Sequence, residues 1–369
     1  MVAVLVGPAS VSAQPAPQPV IASPVVHDDG RVSIAFRAPN AREVVLAVNS
    51  QPNLPMTKDA DGIWRATTPP LPPDVYGYRV MVDGVPYLDP LNTDIVPNLL
   101  NPQSKFHLPG ATPQPWDVTD VPRGTVHRHF YRSAIVGDDR DYYVYTPPGY
   151  DRAAARPYPV LFLLHGFSDD ARGWTSVGHA HVILDNLIAQ GRVTPMLVVM
   201  PLGYGDLSVV SREGAARRDP AVRMRSFERF RASVLDELLP AVERDYHVSR
   251  ERTQRAIAGL SMGGAQSLYI GLNRLDRFGA IGAFSAGGFG NAPDLDAVFA
   301  DMPADPALRP SVLWVACGVD DSLLPGNRAM RDWLTARALP VTYKETPGAH
   351  TWFVWRRYLT EFLPLLFRR

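Results

Sequence analysis

The stretch AIAGLSMGGAQSLYIGL, residues 256–272, constrains this chain more than any other. An apolar run ends at Gly259, and a lone hydroxyl follows at Ser261. Gly263 and Gly264 come next, and then apolar residues recur at helical spacing. Gly259 to Gly263 fit the pattern G-x-S-x-G. A strand that bends sharply into a helix needs glycine on both sides of the serine, because a Cβ there would strike neighbouring backbone. The bend lifts the serine oxygen above the edge of a sheet, in front of the N–H groups that open the helix. A glycine-rich turn with an incidental serine is the plainer reading. The rest of the chain decides between them.

That chain divides into two patterns. From about Ile21 to Leu108 the signals are strands and turns: RVSIAF, REVVLAV, GIWRATT and YGYRVMVDG, separated by Asp29-Gly30, Asp61-Gly62 and Asp83-Gly84. This predicts a small all-β sandwich over residues 21–108. Residues 109–124 are rich in Pro and Gly and read as a linker. Over residues 125–369 apolar strands such as PVLFLLHG, MLVVMP, RAIAGL and SVLWVACG alternate with amphipathic helices. The clearest are 180–190, 227–245, 263–273, 327–338 and 352–367. Strand–helix alternation predicts a mostly parallel sheet with helices on both faces.

A serine becomes a nucleophile near neutral pH only beside a base. In this strand-to-helix context the chain order is nucleophile, acid, histidine. His350, in TPGAHTWF, is the one histidine after Ser261. The acid belongs on a loop between them, directly after a strand. SVLWVACGVDDSLL offers Asp321, with Asp320 as the alternative. Two N–H donors must face the developing oxyanion. Met262, after the nucleophile, supplies one, and Phe167, after the early strand that ends in LLHG, supplies the other. His165 precedes the serine within that turn and reads as structural. Trp174 and Trp352 are candidates to line the cleft, although either could equally be a core aromatic. No long helical cap interrupts the strands, which predicts an open site. The Arg-rich segment 205–226 is expected as a solvated loop near its mouth.

Composition narrows the partners. Acidic and basic residues balance, giving a formal net charge of zero, so no nucleic-acid partner is indicated. Cys317 is the single cysteine, which excludes an intramolecular disulfide and argues against a cysteine zinc site. The serine chemistry calls for no metal or organic cofactor. No apolar run is long enough to span a bilayer. Residues 1–20 combine a short apolar run, Val11-Ser12-Ala13 and a Pro-rich tail. They resemble a signal peptide without its basic start, which points to a secreted or periplasmic protein.

With these residues in view, the second half resembles the esterase D/feruloyl esterase group of α/β-hydrolases, which includes carbohydrate esterase family 1. The matching stretches are LLHGFSDDARGW, ILDNLIAQGRVTPMLVVMPLGYG, DELLPAVERDYHV, RAIAGLSMGG, FGAIGAFSAG, ACGVDDSLL and GAHTWFVWRRYL. The first half is similar to the immunoglobulin-like, glycogen-binding-module-related domain that often precedes such esterases. The resemblance implies an α/β-hydrolase fold and hydrolysis of acyl or feruloyl esters of carbohydrate. It implies Ser261 as nucleophile, His350 as base, Asp321 as acid, and Phe167 and Met262 as oxyanion donors. A ferric-siderophore esterase and a sugar acyltransferase use the same chemistry. A carbohydrate-binding protein with an inert second half is the non-enzymatic alternative.

Overall fold

A computed structural model of the chain describes residues 21–289 and 294–368; residues 1–20, with their signal-like sequence, lie outside them. In the first half, Val44–Val48 alternates buried and half-buried residues, as a strand with one face toward the core does. The antiparallel strands of this half form two sheets. One orders Val25–Val26, Val32–Arg37, Ile63–Thr67 and Thr57–Lys58. The other orders Leu54–Pro55, Val44–Val48, Asp74–Val82, Gln103–Leu108 and Ile95–Val96, with Val85–Tyr87 paired to Asp74–Val82. Val32, Ile34, Leu46, Tyr78 and Phe106 fill the space between the sheets. Trp64 belongs to this core. Its indole N–H donates to the Ala38 carbonyl at 2.8 Å, so the ring packs and offers no platform to a sugar.

The Pro-rich segment 109–124 has no helix or strand, but it is strapped down. Trp116 is buried in the core of the second half. The Asn186 amide donates to the carbonyls of Pro115 at 2.9 Å and Asp117 at 2.8 Å. Turn chemistry in a sequence forbids regular structure; it does not forbid burial.

The second half is built on one mixed sheet, eight-stranded among the described residues. Its strands are β1 (Thr125–Arg132), β2 (Asp139–Thr146), β3 (Val160–Leu164), β4 (Leu197–Pro201), β5 (Arg255–Leu260), β6 (Ala280–Phe284), β7 (Val312–Gly318) and β8 (Val341–Thr346). Their order is β1-β2-β4-β3-β5-β6-β7-β8. The β1–β2 and β2–β4 pairs are antiparallel and the rest are parallel. Every residue of β3, β4, β5 and β6 is buried, as expected for strands covered on both faces. Among the helices are α1 (Ala180–Ala189), α2 (Pro220–Ser233), α3 (Met262–Asn273), α4 (Leu324–Ala336) and α5 (Trp352–Phe362). Phe162 and Leu164 of β3 share a core with α2, α3 and α4, while Leu161 and Leu163 share the opposite core with α1 and α5. The fold is an α/β-hydrolase preceded by a small antiparallel sandwich.

Helix ends depart from expectation for local reasons. α2 begins at Pro220, earlier than Phe227, because the Asp219 carboxylate accepts from the Ala221 N–H at 2.8 Å and proline suits the first helical position. Part of the segment expected as a loop is therefore helix. α5 stops at Phe362, ahead of Phe367, where Pro364 follows in a 3₁₀ turn.

The halves are joined through α5. Arg356 has no exposed surface, and its Nε donates to Asp74 of the sandwich at 3.1 Å. Arg356 Nη1 donates to the Val177 carbonyl at 2.9 Å, and Arg357 adds a 3.0 Å bond to Asp74. The Phe353 ring meets the sandwich core edge-on, 5.0 Å from Tyr76. Among the described residues, no helix is long and apolar enough to cross a membrane.

Candidate active site

β5 ends at Leu260, and α3 starts at Met262; Ser261 is the whole connection. Its backbone sits at φ 52°, ψ −117°, a conformation that L side chains rarely adopt and that sharp functional bends impose. The surroundings require it. The Ser261 N–H donates to the Phe284 carbonyl of β6 at 2.8 Å, while the Ser261 carbonyl accepts from Ala265 and Gly287, each at 3.0 Å. A Cβ on Gly263 would lie 2.5 Å from the Leu164 carbonyl oxygen, and one on Gly259 would lie 2.6 Å from Gly263. Helix, bend and two strands can approach this closely only over glycine.

His350 reaches this point from the loop after β8. Its Nδ1 lies 2.8 Å from Asp321 Oδ2, and its Nε2 lies 2.9 Å from Ser261 Oγ. A carboxylate only accepts, so Nδ1 carries the proton and Nε2 is left to accept from the serine hydroxyl. Asp321 follows β7 and is buried. Burial works to raise its carboxyl, but hydrogen bonds from His350 and from the Leu323 N–H, at 2.9 Å, hold it below the ordinary value. Asp320 points elsewhere: it is exposed and accepts from the Gly348 N–H at 3.3 Å, bracing the histidine loop. The Trp355 ring stands edge-on to His350 at 4.8 Å, and its indole N–H donates to Ser285 at 3.2 Å.

Phe167 and Met262 border a hollow of about 260 Å³ together with Ser261. Met262 opens α3, where helical N–H groups have no intrahelical acceptor. The turn carrying Phe167 is held from behind. His165 is buried, and its Nε2 accepts from the Gly203 N–H at 2.8 Å, so Nδ1 carries the proton and donates to the Gly166 carbonyl at 2.8 Å. Burial pushes this imidazole down to about 4, which keeps it neutral. The Tyr204 hydroxyl donates to the Asp169 carbonyl at 2.9 Å on the same turn.

Trp174 does not line the cleft. It is 1% exposed, its N–H donates to the Leu164 carbonyl at 2.9 Å, and it supports Trp352 edge-on at 5.1 Å. An aromatic two residues beyond a loop carries no sign of which way it faces. Trp352 does border a hollow, one that also includes His350. Val209, Arg223, Phe227 and Leu323 wall the hollow beside Ser261, and nothing in the sequence singled them out individually. The sandwich also enters the neighbourhood: Asn98 donates to Ser168 at 2.9 Å and to Asp169 at 3.2 Å, directly beside Phe167.

A strained serine at a strand-to-helix bend, a hydrogen-bonded histidine and carboxylate, and a doubly covered parallel sheet define an esterase of the α/β-hydrolase class. The chain belongs to the esterase family: the family model described as "Putative esterase" matches residues 133–366. Among curated proteins it is 28% identical over 363 residues to an endo-1,4-beta-xylanase/feruloyl esterase of Xylanibacter ruminicola, covering 96% of this chain and 47% of the relative. The chain thus spans about half the length of that relative. A ferulic acid esterase structure from Anaeromyces mucronatus is 25% identical, with a TM-score of 0.58 over 68% of this chain and 93% of its own. The enterobactin esterase of Shigella flexneri is 19% identical and shares the fold, sandwich included. Its TM-score is 0.66, and the match covers 90% of this chain and 92% of that one.

Proposed function

We propose that this protein is a serine carboxylic-ester hydrolase that cleaves acyl or feruloyl esters of carbohydrate through an acyl-enzyme. The observation that carries the reading is the unbroken chain Ser261 Oγ, His350 Nε2, His350 Nδ1, Asp321 Oδ2, with links of 2.9 and 2.8 Å. His350 takes the serine proton as Oγ attacks the ester carbonyl. Asp321 holds the imidazole tautomer and stabilises the imidazolium. The N–H groups of Phe167 and Met262 receive the oxyanion. His350 then returns the proton to the departing alcohol oxygen, and water, activated by the same imidazole, releases the acid. Phe167, Val209, Phe227 and Leu323 make the hollow beside Ser261 largely apolar, with Arg223 and Ser226 as polar members. That chemistry suits an aryl or short acyl group better than a charged one.

The feruloyl and carbohydrate parts of the reading draw on the relatives named above. We also read residues 21–108 as an immunoglobulin-like domain, 109–124 as its connection and 125–369 as the esterase domain. The apolar start and small residues at 11–13 support work outside the cytoplasm. The test is hydrolysis of methyl ferulate, acetylated xylan and a catecholate siderophore triester by the wild type and by Ser261→Ala. Turnover of the first two, lost in the variant, is the expected result. Turnover of the triester alone would replace the substrate assignment, and full activity of Ser261→Ala would remove the mechanism.

A further inference from the structure

Two hollows border the Ser261–His350 pair, and the acyl group needs only one. The second, about 310 Å³, has His350 and Trp352 in one wall and sandwich residues Asn49, Ser50, Gly77 and Gln103 in the other. We propose that this second hollow holds the leaving alcohol, that the alcohol is a neutral sugar, and that the sandwich recognises it through Asn49 and Gln103. The proposal rests on the esterase reading above and adds where the alcohol goes and what binds it.

Three observations carry it. The first is position. His350 must hand its proton to the leaving oxygen, so the leaving group lies within hydrogen-bond reach of the imidazole. This hollow has His350 in its wall, which makes it a space the leaving group can occupy.

The second is the polar equipment. The Asn49 and Gln103 amides form a closed pair: Asn49 Nδ2 donates to Gln103 Oε1 at 2.9 Å, and Gln103 Nε2 donates to Asn49 Oδ1 at 2.9 Å. Each amide has two N–H donors and an oxygen with two lone pairs. The closed pair uses one of each, which leaves each amide a donor and an acceptor. Adjacent donor and acceptor sites are what a hydroxyl needs, since it both gives and takes a hydrogen bond. The pair also lies over Gly77, where a Cβ would come within 2.7 Å of Asn49 Nδ2. The strand beneath therefore leaves the amides the room they occupy. Trp352 adds an aromatic wall against which the C–H face of a sugar ring packs.

The third is charge. Among the described residues bordering this hollow there is no Lys, Arg, Asp or Glu. A polyanionic alcohol would find no counter-charge there, whereas a neutral polyol finds amides, a serine hydroxyl and an indole. The geometry is fixed from below. Asn49 donates its backbone N–H to the Gly77 carbonyl at 2.9 Å, and the strand that carries Gly77 begins at Asp74, which is bonded to Arg356 in the helix that starts at Trp352.

The experiment holds the acyl group constant and changes the alcohol. kcat and KM are measured for a feruloyl ester of a neutral pentose and for methyl ferulate, with the wild type, Asn49→Ala, Gln103→Ala and the double variant. Asn49 is exposed and Gln103 half-buried, so neither replacement opens a hole in the core. The expected result is a wild-type preference for the sugar ester that falls roughly tenfold in the double variant, through KM more than kcat. A preference that stays within about twofold of wild type overturns the proposal. So does a wild type that hydrolyses both esters equally well; if Ser261→Ala then abolishes both, the esterase reading survives without the sugar site. If Ser261→Ala leaves both rates intact, both readings fall.

Discussion

Gly263 in the esterase half and Gly77 in the sandwich both mark places where a side chain has no room, for opposite reasons. Around Gly263 the obstacle is backbone: the carbonyl oxygens of Leu164 and His165 would each lie 2.5 Å from a Cβ. Around Gly77 the obstacle is a pair of side chains, with Asn49 Nδ2 at 2.7 Å. Both crowdings join groups far apart in sequence. The first surrounds a bend whose glycines and serine sit side by side in the chain and leave a signature there, whereas the second is made by Asn49 and Gln103, which carry no such mark. The esterase half thus announces its bend in a short motif. The sandwich contributes by where docking places it.

The largest effect expected is in the esterase half. Asp321→Asn keeps the shape of the acid but lets its amide donate toward Nδ1, which favours the wrong imidazole tautomer. Turnover should fall about 10,000-fold, with KM nearly unchanged. Asp320→Asn should be mild, because that carboxylate meets Gly348 and not the imidazole. A reversed ranking would show that the geometry around His350 has been misread. Steady-state kinetics on p-nitrophenyl acetate decide it.

The junction is the next test. Asp74→Ala leaves the Arg356 guanidinium buried, with the Val177 and Val75 carbonyls as its remaining partners. Removing one member of a buried ion pair costs about 3–5 kcal/mol, and replacing both with apolar residues is often neutral. Asp74→Ala should therefore lower the urea midpoint sharply, and Asp74→Leu with Arg356→Met should recover most of it. If docking is what the sandwich supplies, the single variant also loses the sugar-ester preference. A stable, fully selective Asp74→Ala protein would break the comparison between the two halves.

How much of this was legible follows the same division. The G-x-S-x-G bend and the alternation of strands and helices are short-range patterns, and the order Ser261, Asp321, His350 names candidates along the chain that only the fold brings together. Asp321 could be separated from Asp320 only by side-chain direction, which adjacent residues on one loop do not announce. Trp174 and Trp352 read alike as cleft or core aromatics, and only the structure separates them: the Trp174 indole bonds back to β3 and faces inward. Asn49, Asn98 and Gln103 lie in a region that reads only as strands and turns, and polar residues are ordinary there. Their significance depends on the docking of two domains through Arg356, which no periodicity encodes.

The smallest effect concerns a place where the sandwich reaches the turn that carries Phe167. Asp169 is buried on the turn after β3. Burial pushes its carboxyl from the ordinary 3.8 up to about 7, assisted by the charge of Asp170, while the hydrogen bond from Asn98 works the other way. Between these values the folded protein holds a proton that the unfolded chain has released. The stabilisation tied to this group is therefore complete below the unfolded value. It is lost as pH rises toward 7, at on the order of 1 kcal/mol per pH unit within the window. Asp169→Asn cannot ionise, so its urea midpoint should fall less than that of the wild type between pH 5 and pH 7, and the two should run parallel above. Asn98→Ala removes the bond that favours the ionised form, so it should steepen the wild-type slope and extend it upward. If Asp169→Asn and the wild type keep the same slope, the carboxyl is not held by burial, and the sandwich does not reach the turn that carries Phe167 as strongly as the hydrogen bonds imply.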